Sequence, residues 1–581
     1  MVSLSRFGKT GLSIACLAIA GLGGVFRPSP ATGAEEIQVV LDGPLSLELS
    51  VDALEEFAET GETTGDLSLI VSFLPEALQD NLREQLQRTV PFDRATISNV
   101  TYSPLGRDVL TNLGKVIRIH PEVEGFYGLR AALINAAAAG ADNWSVIDVL
   151  RQFPTERIHV RLRDLLELRR VLTVYFDYNE AVVEAIQQQA LAEIASTSSI
   201  SDSASLPDSG LSTLSQPGPY AVSSQSITVA APTPGQPNTT IDYEFPVDVY
   251  YSEALEAPAP ILIISHGFGD EQASFTFIAE HLASHGFVVM IPAHVGSDLS
   301  YRQGFLEGRF NTLLNPTEFI NRPQEISLLI DDLERRASRS PWASRLDLDR
   351  IAVMGDSLGG STALALAGAR INQARLIQSC SQENVILNIA LYLECQAQFL
   401  PPEDYRLRDE RISAAVAMHP MGGYLYGPEG MAQVTVPLLM ISGSNDIVAP
   451  VVTEQIYPFL WARSTSKYLA LLQTGTHFTS KPGRVNAEGI FSALIGKHRL
   501  IGSRYAKALI LAFLRTHLVE SDTGTIKSGE HDEATLTAAA GRELSLGEPL
   551  QLYLIRTLAA EQIEAVYGRR VPVPIQPPPI D

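Results

Sequence analysis

From Ser223 onward, short apolar runs recur between stretches of helical period. Pro260 to Ile264 is unbroken by polar residues, as expected of a strand buried on both faces of a parallel sheet. Phe287 to Ile291, Ile351 to Met354, Ala414 to Met418, Pro437 to Ile441 and Tyr468 to Leu472 repeat the type, and Ile227 to Ala230 and Ile241 to Tyr251 precede it. Between them, Glu271 to Ser284 has helical spacing and stops at Gly286, and Gln324 to Ala337 is amphipathic. This alternation predicts an α/β fold over residues 217–518, a doubly wound, mostly parallel sheet, with an insertion near 371–411 as a cap. Residues 519–581 read as a C-terminal extension, a mixed helical piece over Leu544 to Tyr567 and then proline-rich.

Upstream the pattern changes. Ile37, Val39 and Leu41 alternate, Asp42-Gly43 marks a turn, and Leu45, Leu47, Leu49 and Val51 alternate again, which predicts a hairpin. Helical spacing dominates thereafter, so residues 35–195 are expected to form a smaller, mainly helical domain. Nine serines fall between Ser196 and Ser215, and residues 196–216 read as a linker that builds no core. At the start, Arg6 and Lys9 precede the apolar run Gly11 to Phe26 and the small residues Ala31 to Ala34. Residues 1–34 are thus expected to be a signal peptide or an N-terminal anchor, directing export to the periplasm or beyond.

Composition narrows the function. The 581 residues exceed one core, and 43 basic against 66 acidic residues leave a net charge of −23. With no Lys/Arg block to offset it, nucleic acid is excluded as a partner, and membrane association is expected only through the N-terminal segment. The sequence names no protein partner for residues 35–195. Three cysteines, Cys16, Cys380 and Cys395, are too few for a thiolate zinc site. In an oxidising compartment Cys380 and Cys395 can form a disulfide; two buried thiols is the other reading.

The chemistry concentrates at Gly355-Asp356-Ser357-Leu358-Gly359-Gly360, between the strand Ile351 to Met354 and the small-residue helix Ser361 to Ala369. A G-x-S-x-G in that context turns so sharply that a Cβ at Gly355 or Gly359 would clash, leaving the Ser357 hydroxyl exposed at the sheet edge. A serine is a weak nucleophile until a base takes its proton, and the base needs an acid to hold its tautomer. In this architecture acid and base follow the serine in that order. Asp446, five residues past Ile441, and His477, just past the strand Tyr468 to Leu472, satisfy it. His419 precedes Asp446 and reads as pocket lining; Asp298, Asp404 and Asp409 lie upstream and are weaker acids. Backbone N–H groups of Leu358 and of Phe268, in Ser265-His266-Gly267-Phe268-Gly269, are the expected oxyanion donors, with His266 structural. His281 and His285 have zinc-ligand spacing without the Glu of H-E-x-x-H, and His120 and His159 are isolated; all four read as structural. No metal or cofactor is required.

Gly218-Pro219-Tyr220, Ile264 to Gly269, Leu282 to Val289 and the elbow Gly355 to Gly360 resemble the core of platelet-activating-factor acetylhydrolases and dienelactone-hydrolase-like enzymes of the α/β-hydrolase superfamily. Gly43-Pro44, Phe57 to Gly61 and Phe153-Pro154-Thr155 resemble a domain of unknown function that precedes such hydrolases in cyanobacterial proteins. The resemblance implies a serine hydrolase acting on a short-acyl ester or an acetylated phospholipid, a small-molecule or lipid substrate. Two departures stand out: Asp356 occupies a position where those relatives usually carry His, and His419 to Gly423 offers no carboxylate where the animal enzymes place theirs. A serine peptidase on the same fold, or a non-catalytic scaffold retaining a relic core, are the alternative readings.

Overall fold

Glu36–Val40 (β1) and Ser46–Ser50 (β2) alternate polar and apolar residues and pair antiparallel, Glu36 opposite Ser50 through Val40 opposite Ser46, as the sequence predicts. The computed structural model describes residues 33–40, 46–72, 76–140, 143–198, 210–232, 242–256, 258–337, 339–340, 342–380, 388–482, 495–519 and 535–567. The segment 1–32, read as a signal, and the proline-rich tail 568–581 therefore lie outside the described residues. No helix among the described residues is long and apolar enough to cross a membrane.

The chain divides into two units, one of residues up to 98 with 110–166, the other of 99–109 with 167–581. In the first, Ile117–His120 (β3), Val123–Glu124 (β4) and Arg157–Arg161 (β5) join the hairpin in a five-stranded sheet of order β2-β1-β5-β3-β4. Helices Val51–Thr60, Gly65–Ser72, Glu76–Gln87, Phe126–Ala139 and Val146–Arg151 accompany this sheet, whose strands beyond the hairpin were not expected from the sequence. These strands are only two to five residues long and lie between stretches of helical spacing, which hid them.

In the second unit, Ser223–Pro232 (β6), Asp242–Tyr251 (β7), Ala259–Ser265 (β8), Val288–Pro292 (β9), Leu346–Asp356 (β10), Ile412–Met418 (β11), Leu438–Gly443 (β12), Lys467–Leu472 (β13) and Leu552–Ile555 (β14) form one sheet. Its order is β14-β13-β12-β11-β10-β8-β9-β7-β6. The sheet is mixed. The six strands β8 to β13 run parallel, and antiparallel strands flank them on both edges. Ile261, Ile263, Val353 and Met440 enter one apolar core, and Leu262, Ile264, Ala352 and Ile441 enter another. Alternate residues of the same strands thus serve both faces, which is why the runs lack polar alternation. The strand order reverses between β8 and β10, and crevices at such a point hold ligands.

The expected domain boundaries shift. Helix α1 (Leu162–Ser198) runs through the expected boundary at 195, and its Tyr178, Val182, Ile186 and Ala190 are buried in the core of the second unit. Leu211, inside the expected linker, is fully buried as well, while residues 199–209 are not described. The C-terminal extension, expected to be a mixed helical piece over Leu544 to Tyr567, is helical only up to Leu544 and over Ala560–Tyr567; between them Leu552–Ile555 supplies β14 and completes the sheet. Helix α2 (Glu318–Ala337) begins six residues ahead of the expected start; Pro323 disfavours helix at the residue before it and masked the first turns. In the 371–411 insertion, Gln373–Cys380 and Ile389–Glu394 are helices, and Cys380 and Cys395 form a disulfide with Cα atoms 5.7 Å apart.

Candidate active site

Strand β10 passes directly into helix α3 (Leu358–Leu366) at Ser357, whose φ is +57°. Only extreme crowding holds a serine in that region. A Cβ at Gly355 would lie 1.8 Å from the Gly359 carbonyl oxygen, and one at Gly359 would lie 2.0 Å from that of Ser265. Both positions therefore require glycine. Ser357 N–H donates to the Met418 carbonyl at 2.9 Å, tying the turn to the end of β11. Leu358 is the first residue of α3, so its N–H has no acceptor within the helix.

The loop after β8 faces this turn: the position a Gly267 Cβ would take is 3.5 Å from the Ser357 Cβ. His266 is fully buried; its Nδ1 pairs with the Gly267 carbonyl at 2.8 Å, and its Nε2 accepts from His294 N–H at 3.1 Å. Arg322, also fully buried, donates through Nη1 to the His266 carbonyl at 2.5 Å and through Nη2 to that of Gly267 at 3.4 Å. Because a peptide is planar and trans, pinning the Gly267 carbonyl aims the Phe268 N–H the opposite way. Among the described residues that N–H makes no hydrogen bond, whereas its neighbour Gly269 donates to Ser297 at 2.8 Å.

Asp446 and His477 stand on the loops after adjacent strands β12 and β13. Asn445 N–H donates to the Gly475 carbonyl at 2.7 Å, so the two loops are joined directly. His477 Nδ1 is 2.7 Å from Asp446 Oδ2. The other carboxylate oxygen accepts from the amides of Val448 and Ala449 at 3.0 and 2.9 Å, and Gln455 donates to Oδ2 at 3.0 Å. Burial pushes the Asp446 carboxyl up, but the His477 and His419 imidazoles outweigh it and hold it below the ordinary carboxylate range. For His477 burial works downward, and the Asp446 charge and hydrogen bond overcome it, so the imidazole lies above its ordinary value of 6.5. Asp356 adds to that rise and Lys481 subtracts from it. His419 Nδ1 is 3.7 Å from Asp446, beyond hydrogen-bond range, and its Nε2 is bound to Ser480 at 3.0 Å.

The other candidates are engaged elsewhere. Asp298 caps the helix Leu299–Leu306 through Tyr301 N–H, Asp404 pairs with Arg406 and Asp409 with Arg411. His281 and His285 stack edge to face at 4.9 Å, with His285 bonded to the Gln216 carbonyl, and His120 contacts His159 at 6.0 Å.

Several supports carry no linear signal. Gln455 reaches Asp446 because residues Val451–Ile456 form a π-helix, and Asn179 of α1 donates to the Ser444 carbonyl at 2.8 Å from far upstream. Arg322 was masked by Pro323. Lys481, only four residues past His477, was within reach of a reading that asked what charge offsets Asp356.

A family described as "Alpha/beta hydrolase of unknown function (DUF1400)" matches residues 33–161. Cutinase 1 of Thermobifida cellulosilytica is 25% identical over 283 residues, covering 48% of this chain and 77% of the relative. The cutinase of Thermobifida fusca is 26% identical over the same length, covering 67% of that relative. These matches support an α/β hydrolase.

Proposed function

We propose that this α/β hydrolase cleaves carboxylic esters through an acyl-enzyme on Ser357. The observation that carries the proposal is the serine at φ +57° on a strand-to-helix turn, with a buried His477–Asp446 pair on loops of the same sheet edge. In the reaction Ser357 Oγ attacks the ester carbonyl and its proton passes to His477 Nε2. The Phe268 and Leu358 amides donate to the oxyanion, and His477 returns the proton to the departing alcohol. Water then repeats the attack on the acyl-enzyme, and the serine is regenerated. Asp446 holds the Nδ1–H tautomer and stabilises the imidazolium.

The substrate class we propose is a short-acyl ester, including an acetylated phospholipid, on the strength of the sequence resemblance. We also propose export, from the leader pattern of residues 1–34 together with the Cys380–Cys395 bridge.

The test is turnover of p-nitrophenyl acetate, butyrate and longer esters by the full chain and by Ser357→Ala, with a peptide anilide in parallel. Ester turnover lost in the variant supports the proposal. Anilide cleavage with little ester cleavage makes the protein a peptidase, and no turnover by the parent makes it a scaffold.

A further inference from the structure

The elbow, the oxyanion loop and the base loop come from distant parts of the chain, and one ammonium joins them. Lys481, only 6% exposed, has its Nζ 2.7 Å from Asp270 Oδ2 and 2.5 Å from Asp356 Oδ2. Asp270 ends the loop that carries Phe268, Asp356 precedes Ser357, and Lys481 follows His477 by four residues. The Lys481 carbonyl is itself held by Arg499 Nε at 2.8 Å, and its ammonium lies 4.9 Å from the Phe275 ring. Asp356 is 1% exposed, and its second oxygen has no hydrogen-bond partner among the described residues. A buried carboxylate left in that state is costly without a paired cation.

Resting on the ester-hydrolase reading, we propose that Lys481 is a positioning residue: its ammonium clamps Asp270 and Asp356 so that oxyanion loop, nucleophile and base stay in register, and it offsets the Asp356 charge beside His477. The charged and titratable groups facing His477 are Asp446, His419, Asp356 and Lys481, and those facing Asp270 are Lys481, His266 and Arg322. Asp356 favours the imidazolium and Lys481 disfavours it. Removing one without the other must therefore move the base in opposite directions.

The experiment is the pH profile of kcat/KM for p-nitrophenyl butyrate with the full chain, Asp356→Asn, Lys481→Met and Lys481→Arg, with Ser357→Ala alongside. Asp356→Asn leaves the ammonium uncompensated at this end and is expected to move the acid limb to lower pH, by about one unit. Lys481→Met leaves the carboxylates uncompensated, moves the limb upward, and lowers kcat on the order of 10²-fold through loss of register. Lys481→Arg keeps the charge and is expected to restore the limb to its parental position. An unmoved or upward-moving limb in Asp356→Asn, or a parental kcat in Lys481→Met, overturns the proposal. Should Lys481→Met fail to fold, Asp356→Asn decides alone. Turnover that survives in Ser357→Ala refutes the ester-hydrolase mechanism instead, so the two failures are told apart.

Discussion

At the residue scale the site depends on atoms that must be absent as well as present. Gly359→Ala would place a methyl group 2.0 Å from the Ser265 carbonyl, so the elbow or β8 must move. The expected result is a loss of about 1–3 kcal/mol in stability with turnover abolished, read by denaturant unfolding and by ester assay. Asp446→Asn keeps the shape but offers His477 a donor where the carboxylate accepted. A fall in kcat on the order of 10⁴-fold is expected, with the fold retained. The pH dependence follows from His477, which must be neutral to take the serine proton. Its pKa is raised above 6.5, so the acid limb of kcat/KM in the parent protein should lie above pH 6.5, with activity rising through that pKa. A limb at or below 6.5 would mean that burial and Lys481 outweigh Asp446 at this imidazole.

At the element scale, strand and helix identities were largely legible because hydrophobic periodicity is local. Pro260 to Ile264 and Tyr468 to Leu472 became β8 and β13 with ends shifted by a residue. What was not legible required a partner far along the chain. The short strands β3 and β5 pair with each other, β3 also with β4 and β5 with β1, and alternation over only four or five residues inside helical sequence is too brief to stand out. Arg322 is meaningful only because α2 sets its guanidinium against carbonyls of residues 266 and 267. The insertion shows the same dependence: Ala390 N–H donates to the Val448 carbonyl at 2.9 Å, two residues past Asp446, and the bridge to Cys380 lies five residues on. The bridge closes a 15-residue separation, for which loop closure predicts a stabilisation of about 3 kcal/mol. Thermal unfolding with and without reductant, and of Cys395→Ser, should show that loss. Identical melting in both conditions would contradict it.

At the scale of the whole molecule the unit that carries the proposed site is larger than its periodic core. The span 217–518 contains Ser357, Asp446 and His477 but omits α1 and β14. Val182, Ile186, Leu554 and Ile555 are fully buried, and each such side chain contributes about 1.5–3 kcal/mol by leaving water. A fragment of residues 217–518 is therefore expected to lose cooperative unfolding, whereas one that retains residues 167–567 keeps it. Equal stability of the two fragments would place α1 and β14 outside the folding unit. The central claim is that distant loops bring one base to one serine. Mass spectrometry after exposure to a fluorophosphonate tests it most directly. The account predicts a single adduct on Ser357, formed on the order of 10⁴-fold more slowly in His477→Ala. An adduct on another serine, or an undiminished rate in that variant, would contradict it.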